Sequence, residues 1–211
     1  FWVHHNFIRF GDDKMSKSKG NVVQTRDFIN QYHPEILKFI ILSVHYRSEI
    51  NFEKKQIYQA ISRLCRIYKA LKDAAQLADN HPASASFEAL VKETNEKFNN
   101  GLNDDLNTPI AFAALFELVR QFNNELGSKK KKDPQLKGAA QHLLNVFKER
   151  STILALFNED PDDFLKQCDE ILIKEKNINP DNINELIQKR NNARKNKDFA
   201  IADQIRDELI E

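Results

Sequence analysis

LNDDLNTPIAFAALFELV, residues 102–119, places the start signals of a helix ahead of a long apolar run. Thr108 stands where an N-cap is expected, and Pro109 takes the first helical position, where its missing N–H leaves no bond unmade. The predicted apolar face consists of Ile110, Ala113, Ala114, Phe116 and Val119. Asp104 and Asp105 form a carboxylate pair, but acidic residues ahead of a helix usually complement its dipole, so we do not expect catalysis there.

Three further amphipathic segments accompany this helix. One is predicted over about residues 53–78, and Cys65 lies in its apolar stripe, which favours packing over chemistry. The next ends at Gly101, a candidate C-terminal cap, and the last starts at Asp133-Pro134. Their predicted inward residues are Ile57, Ile61, Leu64, Tyr68, Leu71 and Ala75, then Phe87, Leu90, Val91, Thr94 and Phe98, then Leu136, Ala140, Leu143, Leu144 and Phe147. Four such helices with short connections predict an antiparallel bundle over residues 53–158.

The segments on either side of the bundle have other patterns, and the predicted fold class is mainly α. Residues 25–52 predict a connecting helical segment in which Thr25 caps a short helix and Pro34 begins a helix that is apolar around most of its circumference. HYRSEINF, residues 45–52, follows as an extended connection. Residues 159–211 become polar, and two short helices there predict a small separate module.

Composition limits the classes of protein to which the chain can belong. It has 211 residues, 41% hydrophobic and 30% charged, as in a soluble protein of one large or two small domains. The net charge is +1, so no bulk field indicates a nucleic-acid partner. No apolar run of about 18 residues predicts a membrane span. Cys65 and Cys168 stand far apart, which argues against a disulfide framework and favours the reducing cytoplasm.

A basic loop, KMSKSKGN, occupies residues 14–21. Its lysines alternate with small polar residues, so several ammonium groups can be directed at one polyphosphate. Ser16 and Ser18 add hydroxyl donors, and Gly20 permits a close turn. On composition alone, an exposed basic loop without a ligand is an equally good interpretation.

The order of these residues resembles the K-M-S-K-S loop of class I aminoacyl-tRNA synthetases, and the five-residue core is intact. WVHHNFI before the loop, and HYRSEINF, LNDDLNTPIA and RNNARKNKDFAIADQIRDEL after it, resemble cysteinyl-tRNA synthetases over nearly the whole chain. The resemblance implies that ATP, acting with Mg2+, is bound by Lys14, Met15, Ser16, Lys17 and Ser18. It also implies a catalytic role for Lys17, with Lys14, in stabilising the phosphates as the amino acid attacks the α-phosphorus.

The same resemblance implies parts that this sequence does not contain. The nucleotide-binding domain of the family carries a His-x-Gly-His motif and a Zn2+ site that recognises the cysteine thiol, and neither occurs here. His4 and His5 have no cysteine or carboxylate beside them at ligand spacing, so we expect packing or loop support from them and predict no metal ligand. His45 has no partner in sequence, and a structural role is expected. Residues 1–24 are expected to end the catalytic domain. Their apolar opening, FWVHHNFIRF, predicts a chain that begins inside a packed element.

The 159–211 module has the residue types that reading a single-stranded anticodon requires. Phe199 can stack on a base, Asp203 can accept a hydrogen bond from a base amino group, and Arg194 can donate to a guanine edge. Phosphate contacts are expected from Lys189, Arg190, Arg194, Lys195 and Lys197. The resemblance aligns Arg194, Phe199 and Asp203 with anticodon-reading positions, although tryptophan is common where Phe199 stands. The alternatives are a core position for Phe199 and an exposed salt pair for the other two.

These residues predict the C-terminal portion of a cysteinyl-tRNA synthetase, inactive by itself, whose partners are tRNA(Cys), ATP and cysteine. The resemblance implies a monomer, the cysteine pattern favours the cytoplasm, and the lack of a long apolar run predicts no membrane contact. Two alternatives remain. One is a related ligase that joins cysteine to an amino sugar, as in mycothiol synthesis, and the other is a helical RNA-binding protein without catalysis.

Overall fold

The computed structural model describes residues 2–10, 13–14 and 24–209, and within these ranges the chain is mainly helical, as predicted. It forms two compact units, Phe1–Cys168 and Asp169–Glu211. The module predicted over 159–211 begins ahead of this boundary, and its limits stay a prediction. The elements are β1 (Ile8–Phe10), β2 (Asp13–Lys14), α1 (Thr25–Gln31), α2 (Pro34–Leu42), β3 (Ile50–Asn51), α3 (Lys54–Leu77), α4 (Ala85–Asn103), α5 (Thr108–Ser128), α6 (Pro134–Leu154), α7 (Pro161–Glu175), α8 (Pro180–Lys195) and α9 (Phe199–Glu208).

Three short strands form a small sheet in the order β2-β1-β3. β1 pairs antiparallel with β2, where Arg9 lies opposite Lys14, and parallel with β3, where Ile8 lies opposite Ile50. The extended connection predicted over residues 45–52 therefore ends in a strand of this sheet.

The residues ahead of the sheet are not packed. Trp2 is 92% exposed, and Val3 and Phe7 are more than half exposed. The packed element predicted from their apolar pattern is therefore wrong for the chain as described. An apolar segment is buried only where another element covers it, and no element of the described ranges covers Trp2.

α3 is the central helix of the first unit and packs against α2, α5 and α6. Its predicted stripe is confirmed at Ile57, Ile61, Leu64, Tyr68 and Leu71, all of which are buried. In the last turn Ala74 is buried and Ala75 exposed, so the stripe shifts there by one residue. A helix covered on several sides buries a wider face than a single stripe predicts.

Two helix caps lie one residue earlier than predicted. Asn107, not Thr108, is the N-cap of α5, and its side-chain oxygen accepts a hydrogen bond from Ile110 N at 3.4 Å. Asparagine caps a helix at least as well as threonine, so the sequence allows either position. Gln24, not Thr25, precedes α1, and it makes no side-chain cap bond.

The buried face of α5 also differs from the predicted one. Ile110 and Ala113 are exposed, and Phe116 is only half-buried. The buried residues are Ala111, Phe112, Ala114, Leu115, Leu118, Val119 and Phe122. A segment that is apolar nearly all round carries little periodic signal, so its phase could not be predicted.

Gly101 lies inside α4 rather than after it, so its predicted role as a C-terminal cap is wrong. A Cβ at this position would stand 3.1 Å from both Ala111 N and Asn107 O. The missing side chain therefore allows α4 to pack closely against the start of α5.

A polar cluster is buried in the core of the first unit. Glu35 of α2 is 3% exposed, and its carboxylate accepts hydrogen bonds from Tyr68 Oη at 2.7 Å and from Asn158 N at 3.3 Å. Tyr68 stacks on Phe164, with ring centroids 3.9 Å apart. Burial, and then the bond to Glu35, raises the pKa of Tyr68, so the phenol stays protonated and can donate.

We expect Phe122→Ala to lower the free energy of unfolding by about 3–5 kcal/mol, because Phe122 is fully buried on α5. Phe116→Ala, on the same helix, should cost clearly less, since Phe116 is only half-buried. Urea denaturation of the two variants measures both losses. Equal losses would contradict the buried face described here.

Candidate nucleotide and RNA sites

The basic loop is described only at its first residue. Lys14 is the last residue of β2, and its backbone lies opposite Arg9 of β1. The other predicted ATP-binding residues, Met15, Ser16, Lys17 and Ser18, lie outside the described residues. The structure therefore describes the small sheet that leads to Lys14. Beside it, Arg9 Nη1 of β1 lies 3.1 Å from Glu49 Oε2.

Residues 45–47, the start of the HYRSEINF connection, contact the loop between α4 and α5. Arg47 Nε donates to Asp105 Oδ2 at 2.6 Å, and Tyr46 Oη donates to Asp105 Oδ1 at 2.6 Å. The His45 ring stacks on Tyr46, with centroids 4.9 Å apart. Hydrogen bonds from Arg47 and then Tyr46 lower the pKa of Asp105, and the bond to Asp105 raises the pKa of Tyr46. Asp105 is thus an ionised carboxylate whose oxygens accept hydrogen bonds from Tyr46 and Arg47.

Three further findings, on metal ligands, exposed histidines and membrane helices, hold for residues 2–10, 13–14 and 24–209. No group of three or more His, Cys, Asp or Glu side chains in these ranges is arranged to hold a metal ion. His4 and His5 are exposed. No helix in the same ranges has the length and apolarity that crossing a bilayer requires.

A cleft between α3 and α5, which we call the arginine cleft, is lined by Arg63, Arg66, Phe116, Glu117 and Arg120, among others, and has a volume of about 560 Å3. Arg63 and Arg66 are exposed, and within the described part of the chain neither has an ion-pair partner. Arg120 donates to Glu117 at 2.7 and 2.8 Å, which lowers the pKa of Glu117 to about 2. The sequence analysis missed this site, although arginines three apart share a helix face.

In the second unit, α8 and α9 pack together as a helical hairpin. The turn between them is held at Asp198, whose N–H donates to Ala193 O at 2.9 Å and whose Oδ1 accepts from Ile201 N at 3.3 Å. The buried residues of the hairpin include Ala193, Ala202 and Ile205. The hairpin is therefore a small scaffold that presents polar residues around one turn.

The predicted anticodon-reading residues lie close to this turn in the chain. Arg194 and Lys195 are in the last turn of α8, Phe199 is the first residue of α9, and all three are exposed. Phe199 is 61% exposed, so the alternative that it is a core residue is wrong. Asp203 pairs with Arg206 at 2.9 Å and not with Arg194. Among the residues described, Arg194 has no ion-pair partner.

Comparison with known proteins finds matches along the whole chain. Residues 1–62 match the family model for the catalytic domain of class I (C) tRNA synthetases, and residues 97–158 match the model for the DALR domain. A cysteine–tRNA ligase of Bdellovibrio bacteriovorus is 36% identical over 208 residues, which are 98% of this chain and 43% of that protein. The cysteine–tRNA ligase of Acinetobacter baylyi is 36% identical over 213 residues, 100% of this chain and 42% of that protein.

The matched segments contain the features described above. The catalytic-domain match includes the Lys14–Ser18 loop and residues 45–47, and the DALR match includes Asp105 and the α5 side of the arginine cleft. The chain spans less than half the length of the curated relatives it matches. Over this span, the chain is similar to cysteine–tRNA ligases, and its two matched segments are similar to a class I catalytic domain and to a DALR domain.

Proposed function

We propose that the protein carrying this chain is a cysteine–tRNA ligase, which activates cysteine with ATP and transfers it to tRNA(Cys). The observation that carries the proposal is the similarity to cysteine–tRNA ligases along 98% to 100% of the chain. The mycothiol-type ligase and the non-catalytic RNA-binding protein are not favoured, because the relatives are tRNA ligases and the catalytic-domain match includes the loop. The proposal includes a cytoplasmic, monomeric enzyme, on the strength of the resemblance.

In the activation step, the cysteine carboxylate attacks the α-phosphorus of ATP and pyrophosphate leaves, so negative charge builds up on the phosphate oxygens. Lys17 and Lys14 supply mobile positive charges to those oxygens, and Ser16 and Ser18 supply hydroxyl donors. Mg2+ would accompany ATP as its counter-ion. Zn2+ is expected in the full enzyme. The described residues offer no group that fits it, so no step is assigned to a metal held by this chain.

We assign tRNA recognition first to the α8–α9 hairpin. The exposed ring of Phe199 offers a stacking face, and Arg194 and Asp203 offer a donor and an acceptor to base edges. Lys195 is exposed in the last turn of α8 and supplies charge to a phosphate. The exposure of all four residues supports this assignment.

The arginine cleft is a second candidate contact with the tRNA backbone. Two guanidinium groups without ion-pair partners among the described residues, beside an aromatic side chain, suit a phosphodiester segment. Glu117 does not neutralise the charges of Arg63 and Arg66, because its carboxylate accepts hydrogen bonds from Arg120. The cleft would therefore add affinity without reading sequence.

Lys17→Ala should lower the rate of cysteinyl-adenylate formation by more than about tenfold, with a smaller change in ATP affinity. A charge-assisted contact is worth about 1.5–3 kcal/mol, and this one is needed most in the transition state. Cysteine-dependent pyrophosphate exchange measures the rate in the ligase that carries this chain. Lys19→Ala, outside the five-residue core, is the matched control. An exchange rate unchanged by Lys17→Ala would refute the assignment.

Arg194→Ala should weaken aminoacylation of cognate tRNA by about 1–3 kcal/mol, as the loss of a base contact does. It should cost little with an anticodon-swapped tRNA, because the contact is already missing there. Lys195→Ala, the adjacent cation, should weaken both tRNAs alike, since a phosphate contact carries no sequence information. Neither change should affect cysteine activation without tRNA. Equal losses on both tRNAs for Arg194→Ala would make Arg194 a phosphate anchor.

Replacing Arg63 and Arg66 together by alanine should weaken binding of any tRNA. The slope of log affinity against log salt concentration should fall by about two, because two phosphate contacts are removed. Lys55 and Lys69, exposed on the same helix outside the cleft, give a matched double-alanine control with the same charge change. Fluorescence anisotropy at several salt concentrations measures the slopes. Equal slopes for the two double variants would show that the arginine cleft is not a distinct contact with the tRNA backbone.

A further inference from the structure

The loop between α4 and α5 contains two consecutive left-handed residues that are not glycine. Asp105 has φ of 52° and Leu106 has φ of 54°. Such residues cost free energy and persist where the surroundings hold them in place. Asparagine and aspartate tolerate this region better than leucine does. The conformation therefore indicates that something outside the loop holds it.

The groups that hold Asp105 come from the 45–47 connection. Both carboxylate oxygens of Asp105 accept hydrogen bonds. Oδ2 accepts from Arg47 Nε, and Oδ1 accepts from Tyr46 Oη and, at 3.3 Å, from Arg47 Nη2. The guanidinium lies 5.3 Å from the Tyr46 ring centroid, and Arg47 Nε also donates to Tyr46 Oη at 3.0 Å. The side chains of Arg47 and Asp105 are 66% and 46% exposed. An ion pair this exposed contributes little to the free energy of unfolding, so its loss should change the local position of residues 45–47 more than the Tm.

The 45–47 connection in turn holds the strand that precedes the basic loop. Asn6 N donates to Tyr46 O at 2.9 Å, and Asn6 Nδ2 donates to Arg47 O at 2.9 Å. Asn6 precedes β1 by one residue, Phe7, and β1 pairs with β2, which ends at Lys14. Hydrogen bonds and a short stretch of the covalent chain therefore join Asp105 to Lys14, the first residue of the basic loop.

We propose that Asp105 is a positioning residue for amino-acid activation: it fixes residues 45–47 on the DALR segment and, through Asn6, sets the place of the strands that lead to Lys14. The inference rests on the proposed function for its catalytic consequence. A displacement of the loop by about 1 Å is enough to lower a rate by orders of magnitude, because catalytic charge must meet the phosphates at close range. Asp105 itself touches neither substrate nor reacting atoms in this account.

Asp105→Asn tests the proposal, with Asp104→Asn as a matched control. Asparagine keeps the size and the tolerance of left-handed backbone, but it offers one acceptor and turns an NH2 group toward the donors. Asp104 is exposed, and no described residue bonds its side chain. In the ligase that carries this chain, Asp105→Asn should lower kcat of pyrophosphate exchange by about tenfold. The KM for ATP should stay within about twofold, because the loop acts mainly in the transition state.

Amide hydrogen exchange of residues 8–14 provides a readout that does not depend on the reaction. These amides should exchange faster in Asp105→Asn than in Asp104→Asn, at an unchanged Tm. Arg47→Ala should produce the same acceleration, and the double variant no more than either single change. The positioning role would be overturned if amide hydrogen exchange of residues 8–14 were unchanged in Asp105→Asn. It would also be overturned if Asp105→Asn and Asp104→Asn had equal kcat of pyrophosphate exchange. A wild-type enzyme without pyrophosphate exchange would instead refute the proposed function. Amide hydrogen exchange would still show whether the Asp105 contact holds residues 8–14 in place.

Discussion

A buried carboxylate links three segments of the first unit. Glu35 lies in α2, its donor Tyr68 lies in α3, and its second donor, Asn158 N, lies between α6 and α7. A buried charge or polar group without a partner is costly, so these three segments must come together in one arrangement. The helix that precedes the 45–47 connection is thereby fixed on the bundle. The 45–47 connection follows that helix closely in the chain, and Asn6, ahead of the small sheet, bonds to it.

Some of the described residues proposed to act on substrates lie at helix ends, whereas Arg63, Arg66 and Asp203 lie within helices. Asp105 lies between α4 and α5, Arg194 lies in the last turn of α8, and Phe199 is the first residue of α9. Exposed helix ends and connections can carry polar groups because their backbone is near solvent, while the packed helices hold Arg194 and Phe199 in place. Local basic groups would let a chain of net charge +1 take part in the proposed phosphate and RNA chemistry.

Sequence reasoning succeeded where a signal was local and periodic. The stripe of α3 repeats every three or four residues and was predicted, whereas α5 is apolar on most sides and its face was not. Gly101 carries the signal of a cap, and only the approach of α5 shows that it serves packing. Pairs distant in sequence left no local trace: Glu35 with Tyr68, and Arg47 with Asp105. The exposure of Phe199 likewise depends on how α8 and α9 pack, which a short helix pattern does not determine.

The identity of the acylated product tests the central claim most directly. The ligase that carries this chain would be incubated with ATP, the twenty amino acids, an amino sugar acceptor and a pool of tRNA transcripts, and its product identified by mass spectrometry. We expect cysteine esterified to the tRNA with the cysteine anticodon, and no acylated acceptor when tRNA is omitted. Cysteine joined to the amino sugar without tRNA, or tRNA bound without any acylation, would contradict it.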